Sequence, residues 1–285
     1  MTVGTALERA RERLRASDSA RTDASRLLEA TLGRDAGWLL ANDTAMLEPD
    51  AAQRFDAAVA RRAAGEPVAY IAGYAGFYGR RFEVTSAVLV PRPETEELAE
   101  RAIVFLRTRR DAEPTFLDAG TGSGALAITL ACELPTARGV ATDVSAAALA
   151  VAARNAAALG VAGRLTLVEA DLLEAPAVNQ AAPFACIVAN LPYVPTGELA
   201  PPPDPTAFEP RLALDGGADG LALYRRLFAQ APRLLSSGGT LFAEAAPHTA
   251  RVLATLATRA FGPEALVRIH RDYGGRDRIV ETVRP

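Results

Sequence analysis

The chain of 285 residues is 49% hydrophobic and carries a formal net charge of −3 at pH 7, enough apolar content to bury a substantial core in a large domain accompanied by a small one. Mild acidity gives no global attraction toward a polyanion, which weighs against sequence-independent nucleic-acid binding. All 31 basic residues are arginine, with no lysine anywhere, so Schiff-base lysine chemistry and Walker-type nucleotide hydrolysis are excluded.

From Ala6 to about Ala64 apolar residues recur at helical spacing (Leu7, Leu14, Leu27-Leu28, Trp38-Leu39-Leu40, Phe55, Val59), interrupted by Asp, Ser, Gly and Pro. This predicts a small helical bundle over residues 1–66 with Trp38 in its core. Two β-like stretches follow, Val68–Ile71 and Arg81–Val84, broken by Gly73, Gly76 and Gly79, and predict a β-hairpin linker over 67–90. A larger domain is expected over 91–285. It opens with a helix to about Arg110, in which Pro93 restricts Arg92 and Glu94, Glu96 and Glu97 place acids in the first turn.

Beyond Thr115 strands and helices alternate. Strands are predicted near 115–118, 138–142, 164–168, 184–189, 239–244, 264–270 and 277–283, and helices near 123–133, 145–159, 219–235 and 248–261. The pattern implies an α/β, Rossmann-like sheet of seven mostly parallel strands with its ligand at their carboxyl ends. The last two strands have only a turn at Asp272–Gly275 between them, so the sheet should end in an antiparallel hairpin. The proline-rich stretch from Pro195 to Pro210 is too long for a plain connection and reads as a functional loop.

Cys132 and Cys186 sit in apolar segments without metal-ligand spacing and read as core residues of a reducing compartment; His248 and His270 are too few and too far apart for a metal site. The first residues alternate in charge instead of forming an apolar leader, and no apolar stretch is long enough for a bilayer. The expectation is a cytoplasmic monomer with no metal and no membrane association.

Asp118-Ala-Gly-Thr-Gly-Ser-Gly124 follows the apolar pair Phe116-Leu117 and precedes an apolar helix, the setting of a nucleotide-binding turn. By itself the turn, Gly120, Thr121, Gly122, Ser123 and Gly124, suits a dinucleotide or a methyl donor equally well, and Asp143 at the next strand end could hold a ribose in either case. Asp118 before the turn, the final hairpin and Asn190-Leu191-Pro192-Tyr193 at the end of the fourth strand together select S-adenosylmethionine. In this reading Asp143 accepts hydrogen bonds from ribose hydroxyls, the glycine backbone approaches the methionine end because no Cβ intrudes, and Asp171 and Leu172 border the adenine. Asn190-Leu-Pro-Tyr193 supplies an amide oxygen, outward carbonyls and an aromatic face, which suits a planar amino group.

These segments, with Pro67–Gly73, Phe77–Gly79, Val90–Glu96, Glu209–Leu214, Gly216-Gly217, Asp219-Gly220 and Arg271–Gly274, occur in the order seen in the HemK/PrmC protein-(glutamine-N5) methyltransferases, which the chain resembles. The resemblance is strong over about 65–285 and rests on architecture before that. It implies a class I S-adenosylmethionine-dependent enzyme that methylates the glutamine of the Gly-Gly-Gln motif in peptide-chain release factors, its partners, with no nucleic-acid substrate. By the resemblance Asn190 and the Leu191 carbonyl accept the two amide N–H bonds, Tyr193 packs on the amide plane, and the helical bundle holds the release factor. Arg92 near the methionine end, and Glu209 and Arg211 on the substrate loop, are further candidates for substrate contact; Arg92 with Glu96 could equally form a helix-start salt bridge, and Glu209 with Arg211 a structural ion pair.

Two departures stand out. Leu191 replaces the proline usual in the family, and Asn-Leu-Pro-Tyr also resembles the motif of rRNA adenine dimethyltransferases, so an adenine-N6 methyltransferase is the alternative within the same chemistry. Glu244-Ala-Ala-Pro247 stands where the family tends to have Glu-x-Gly. A catalytically silent cofactor-binding adaptor is the alternative from another class.

Overall fold

A computed structural model describes all 285 residues. The chain forms two compact units, Met1–Ala75 with Ala200–Phe208, and Gly76–Leu199 with Glu209–Pro285.

The first unit contains α1 (Val3–Arg13), α2 (Ala20–Leu32), α3 (Ala36–Ala41), α4 (Pro49–Ala63) and α5 (Val68–Ala72). Thr2 caps α1 by accepting from the Thr5 N–H, and Asp35 caps α3 by accepting from the Trp38 N–H. Val3, Leu14, Leu27, Leu28, Leu39, Phe55 and Val59 form its core. A nearly buried ion pair of 2.7 Å between Asp23 and Arg62 ties α2 to α4.

Two expectations need correcting in this unit. Trp38 is only half-buried, with the Arg34 guanidinium 5.4 Å above its ring. Residues 68–71 are helical rather than extended: Pro67 starts α5, Gly73 ends it at φ +80°, and Val68 and Ile71 pack on the bundle core. The hairpin therefore begins later, as β1 (Tyr74–Phe77) and β2 (Arg80–Glu83), joined through Tyr78 and Gly79 at φ +49° and +70°.

The second unit continues with α6 (Pro93–Thr108), β3 (Thr115–Ala119), α7 (Ala125–Glu133), β4 (Arg138–Asp143), α8 (Ala146–Ala158), β5 (Leu165–Glu169), α9 (Pro176–Ala181), β6 (Phe184–Ala189), α10 (Ala222–Gln230), β7 (Leu235–Glu244), α11 (Ala250–Phe261), β8 (Leu266–Arg271) and β9 (Asp277–Val283). The seven strands run in the order β5-β4-β3-β6-β7-β9-β8. All pairings from β5 to β7 are parallel, and β9 is antiparallel to both β7 and β8. The predicted fold class and terminal hairpin are thus observed.

Successive residues of the central strands point to opposite faces. Leu117, Ile187 and Leu241 join the core shared with Tyr224, Leu227 and Leu253 of α10 and α11. Phe116, Cys186, Val188 and Phe242 join the core shared with Leu98, Ile103, Leu126 and Leu130 of α6 and α7. Burial on both faces explains why these strands read as continuous apolar runs.

Three differences from the predicted elements have local causes. The helix expected over 219–235 ends at Gln230, because Pro232 permits only a short 3-10 turn after it. The following strand then starts earlier, at Leu235, with an irregular register opposite Phe184–Cys186. The short helix α9, opened by Pro176, was not foreseen. No helix is long and apolar enough to cross a membrane.

Candidate active site

The order of strands reverses direction at β3, whose neighbours are β4 and β6, and the carboxyl ends of these three strands carry the site residues. A cavity of about 340 Å³ opens there, within the usual range of about 300–1,000 Å³ for ligand pockets. Its wall includes Gly120, Thr121, Gly122, Ser123, Asp143, Asp171, Leu172, Asn190, Leu191 and Pro192.

The turn between β3 and α7 takes a path that only glycine follows without strain, with φ of +73°, +55° and +82° at Gly120, Gly122 and Gly124. Each glycine meets a different neighbour. A Cβ on Gly124 would lie 2.6 Å from Ile128 Cδ1 and 3.2 Å from Ala152 Cβ, so this position sets the approach of α7 to α8. A Cβ on Gly120 would lie 2.8 Å from Leu191 Cδ2. At Gly122 nothing lies within 4 Å, because that direction is the open cavity.

Asp118 sits beneath the turn, 1% exposed. Its Oδ2 accepts from the Thr121 hydroxyl at 2.7 Å and the Ala127 N–H at 3.1 Å, whereas Oδ1 is buried without a partner. Burial pushes its pKa up to about 7, against the lowering effect of those two hydrogen bonds and with a further rise from Asp143. Because the folded state holds this carboxyl protonated, its stabilising contribution is complete below about pH 4 and is lost as pH rises toward 7. The ligand-free protein is expected to show a falling melting temperature between about pH 4 and pH 7, with a shallower fall in Asp118→Asn. An unchanged slope in that variant would show that Asp118 is ionised throughout.

Asp143 ends β4 and binds the turn itself: Oδ2 accepts from the Gly122 N–H and Oδ1 from the Ser145 N–H, both at 2.9 Å. Each oxygen keeps capacity for a further hydrogen bond. Burial raises this carboxyl's pKa, with the backbone bonds opposing it. Leu172 is held at φ +56°, an uncommon conformation for a leucine, on the cavity wall beside Asp171. Arg226 reaches the same wall and pairs with Asp171 at 2.7 Å.

Asn190 follows β6 and donates from Nδ2 to Thr95 Oγ1 at 2.9 Å. Thr95, in the first turn of α6, donates in turn to Glu244 Oε2 at 2.7 Å. The Leu191 side chain is buried over Gly120, which accounts for a leucine at this position. Its N–H donates to the buried Tyr224 hydroxyl at 3.2 Å, a bond that proline could not make. The Tyr224 hydroxyl has one proton, and the Glu244 backbone carbonyl takes it at 2.5 Å. The Leu191 carbonyl, 3.2 Å from the same hydroxyl, therefore keeps its acceptor capacity.

Several predicted residues lie off the cavity wall. Tyr193 packs against the core, and its hydroxyl turns inward toward Glu244 Oε1 at 3.4 Å; burial, then Glu244, pushes its pKa up to about 12. Arg92 is not paired with Glu96, which accepts from the Tyr78 N–H instead. It bonds the buried Glu209, which also accepts from the Val90 N–H, so both are spent on anchoring the segment before α6. Arg211 is exposed and pairs with Asp215, four residues on. The ion-pair alternative is thus met with other partners than expected, Arg92 with Glu209 and Arg211 with Asp215. Arg92→Ala is expected to cost about 1–3 kcal/mol by breaking a largely buried pair, read as a lower denaturation midpoint; a change below about 0.5 kcal/mol would mark the pair as a surface contact.

Sequence reasoning missed Thr95, Glu244 and Tyr224 as site residues, and Arg226 as part of the wall. Thr95 and Glu244 lay within segments already singled out, whereas Tyr224 gave no signal beyond its place on an apolar helix face.

A family model described as the PrmC N-terminal domain matches residues 5–73, and one described as a methyltransferase domain matches 116–201. A protein of Cereibacter sphaeroides named release factor glutamine methyltransferase is 44% identical over all of this chain and 99% of its own length. One of the same name from Moorella thermoacetica is 44% identical over 98% of this chain and 97% of its own. Among solved structures, the 16S rRNA N2 G1207 methyltransferase of T. thermophilus, in complex with AdoMet and guanosine, has a TM-score of 0.51 at 19% identity, covering 74% of this chain and 50% of that one, a likeness of fold alone. With full-length identity at this level and the site geometry above, the chain is a methyltransferase that belongs to the release factor glutamine methyltransferase family.

Proposed function

We propose that the protein methylates the side-chain amide nitrogen, N5, of the glutamine in the Gly-Gly-Gln motif of peptide-chain release factors, with S-adenosylmethionine as donor. The observation that carries this reading is that Asn190 and Leu191 line the same cavity, with Asn190 Oδ1 left over once Nδ2 is committed to Thr95 and the Leu191 carbonyl keeping acceptor capacity. The names of full-length relatives support the same substrate.

The cavity residues fit the cofactor. The Asp143 carboxylate provides negative charge on the cavity wall, and the Asp118 carboxyl keeps an unpartnered oxygen beneath a glycine turn whose open side faces the cavity. In this reading Asp143 takes the ribose hydroxyls, Asp171 and Leu172 border the adenine, and the Gly120–Ser123 backbone faces the methionine portion. When bound, S-adenosylmethionine supplies an electrophilic methyl group on a cationic sulfur.

The protein's task is orientation, because an amide nitrogen delocalises its lone pair into the carbonyl and is a poor nucleophile. Positioning can contribute about 7–11 kcal/mol in favourable cases, and each N–H bond to Asn190 or Leu191 adds about 0.5–1.5 kcal/mol. No histidine base is required: the amide proton passes to water as the carbon–nitrogen bond forms or after it. A glutamate carboxylate has no N–H to offer these acceptors and is rejected, a mismatch worth about 10⁴-fold or more. The N-terminal helical unit holds the release factor away from its Gly-Gly-Gln tip.

The test is transfer of labelled methyl from S-adenosylmethionine to a purified release factor, beside its Gly-Gly-Glu variant and rRNA. Label on the Gly-Gly-Gln protein alone is expected. Label on rRNA instead would overturn the reading in favour of an adenine enzyme.

A further inference from the structure

An asparagine amide can be turned over with little change in shape, exchanging its oxygen for its NH₂ group, so only its hydrogen-bond partners decide which end meets a ligand. At Asn190 the decision is made two residues away. Glu244 at the end of β7 and Thr95 at the start of α6 are 1% and 4% exposed, so no bulk water competes for their hydrogen bonds. An ionised Glu244 only accepts, which commits the single Thr95 hydroxyl proton to it at 2.7 Å. The Thr95 oxygen is then purely an acceptor toward Asn190, and takes Nδ2 at 2.9 Å.

We propose that Glu244, acting through Thr95, is a positioning residue that keeps the Asn190 amide with its oxygen toward the cavity, and so makes the site select a substrate bearing N–H groups. This rests on the reading of the site as a glutamine-amide site. Proton transfer to Glu244 reverses the chain: the acid donates to Thr95 Oγ1, Thr95 donates to Asn190 Oδ1, and the NH₂ group turns to the cavity, where it opposes the N–H groups of the substrate.

The surroundings of Glu244 make that reversal accessible. Burial pushes its pKa up to about 7, opposed by the Thr95 bond and by Arg278, assisted by Glu94, and lowered slightly by the Tyr193 hydroxyl. Arg278, on β9, does not neutralise it, because its guanidinium is bonded to Asp272 and the Ala245 carbonyl. From α10, the Tyr224 hydroxyl bonds the Glu244 backbone carbonyl and leaves the carboxylate to Thr95 and Tyr193.

The experiment is kcat/KM for the release factor against pH from 6 to 9, at saturating S-adenosylmethionine so that ionisation at Asp118 and Asp143 does not enter through cofactor affinity. Wild type is expected to gain activity through a step near pH 7. Thr95→Val, of equal shape but without the relay, is expected to lose about 10²-fold and the step together; Thr95→Ser restores both. Glu244→Gln, which accepts from Thr95 without titrating, is expected to lose the step even where its level falls. Wild-type rate and an unchanged step in Thr95→Val, or a retained step in Glu244→Gln, would overturn the inference. Absence of transfer to the release factor by wild type would instead overturn the substrate reading itself, and so would full activity in Asn190→Ala.

Discussion

Asn190→Ala is expected to lower kcat/KM for release-factor methylation by about 10²–10³-fold, the scale seen when one preorganised polar group is removed from a reacting centre. The dissociation constant for S-adenosylmethionine should move far less. Asn190 is one residue of the cavity wall, whereas the cofactor reading rests on a turn held independently by Asp118 and Asp143. The substitution also removes the donor to Thr95, but Thr95 keeps its bond to Glu244, so the buried carboxylate is not stranded. Single-turnover methyl transfer and calorimetric titration of the cofactor separate the two quantities. A loss of less than about threefold in transfer would deny Asn190 its role, and an equal loss in both would make it a cofactor ligand first.

The second large effect is a contrast between neighbouring glycines. Gly122→Ala and Gly124→Ala each force an alanine into the left-handed region, at φ +55° and +82°, a cost of about 1–2 kcal/mol apiece. At Gly124 the new methyl also meets Ile128 and Ala152 at 2.6 and 3.2 Å, and overpacking adds about 1–3 kcal/mol. Gly124→Ala should therefore appear chiefly as a lower melting temperature. At Gly122 the methyl meets no protein atom within 4 Å and projects into the cavity. Gly122→Ala should keep most of the fold's stability and lose S-adenosylmethionine affinity by about tenfold or more, equivalent to about 1.4 kcal/mol. Equal losses of affinity with no difference in melting temperature would show that the two positions are not divided in this way.

Much of this was legible in the sequence because the relevant signals are local. An apolar strand ending in Asn190-Leu-Pro-Tyr193 and a glycine turn after Phe116-Leu117 each occupy consecutive residues, and strand burial on both faces leaves unbroken apolar runs. The Asn190–Thr95–Glu244 chain was not legible, since its two hydrogen bonds join residues 95 and 149 positions apart. Tyr224 looks like any core aromatic until the strand ends that surround its hydroxyl are brought together. Arg92 and Glu209 were each noticed, as substrate contacts or as ion pairs with Glu96 and Arg211; only folding reveals that they pair with one another. The misread strand at Val68–Ile71 has a different cause. Val68, Tyr70 and Ile71 favour extended structure intrinsically, and packing of Val68 and Ile71 on the bundle overrode that preference.

The excursion of Ala200–Phe208 into the first unit bears on how such a protein can be cut, shuffled or inherited. Matches over 5–73 and 116–201 invite the view of two beads on a string. Yet Gly65 at φ +101° leaves no room for a Cβ against the Pro203 carbonyl and the Phe208 ring, so the first bead is completed by chain that is encoded far downstream. A gene fragment ending at Ala75 would yield a bundle missing one of its own walls, and recombination between relatives would have to carry both stretches together to preserve the fit.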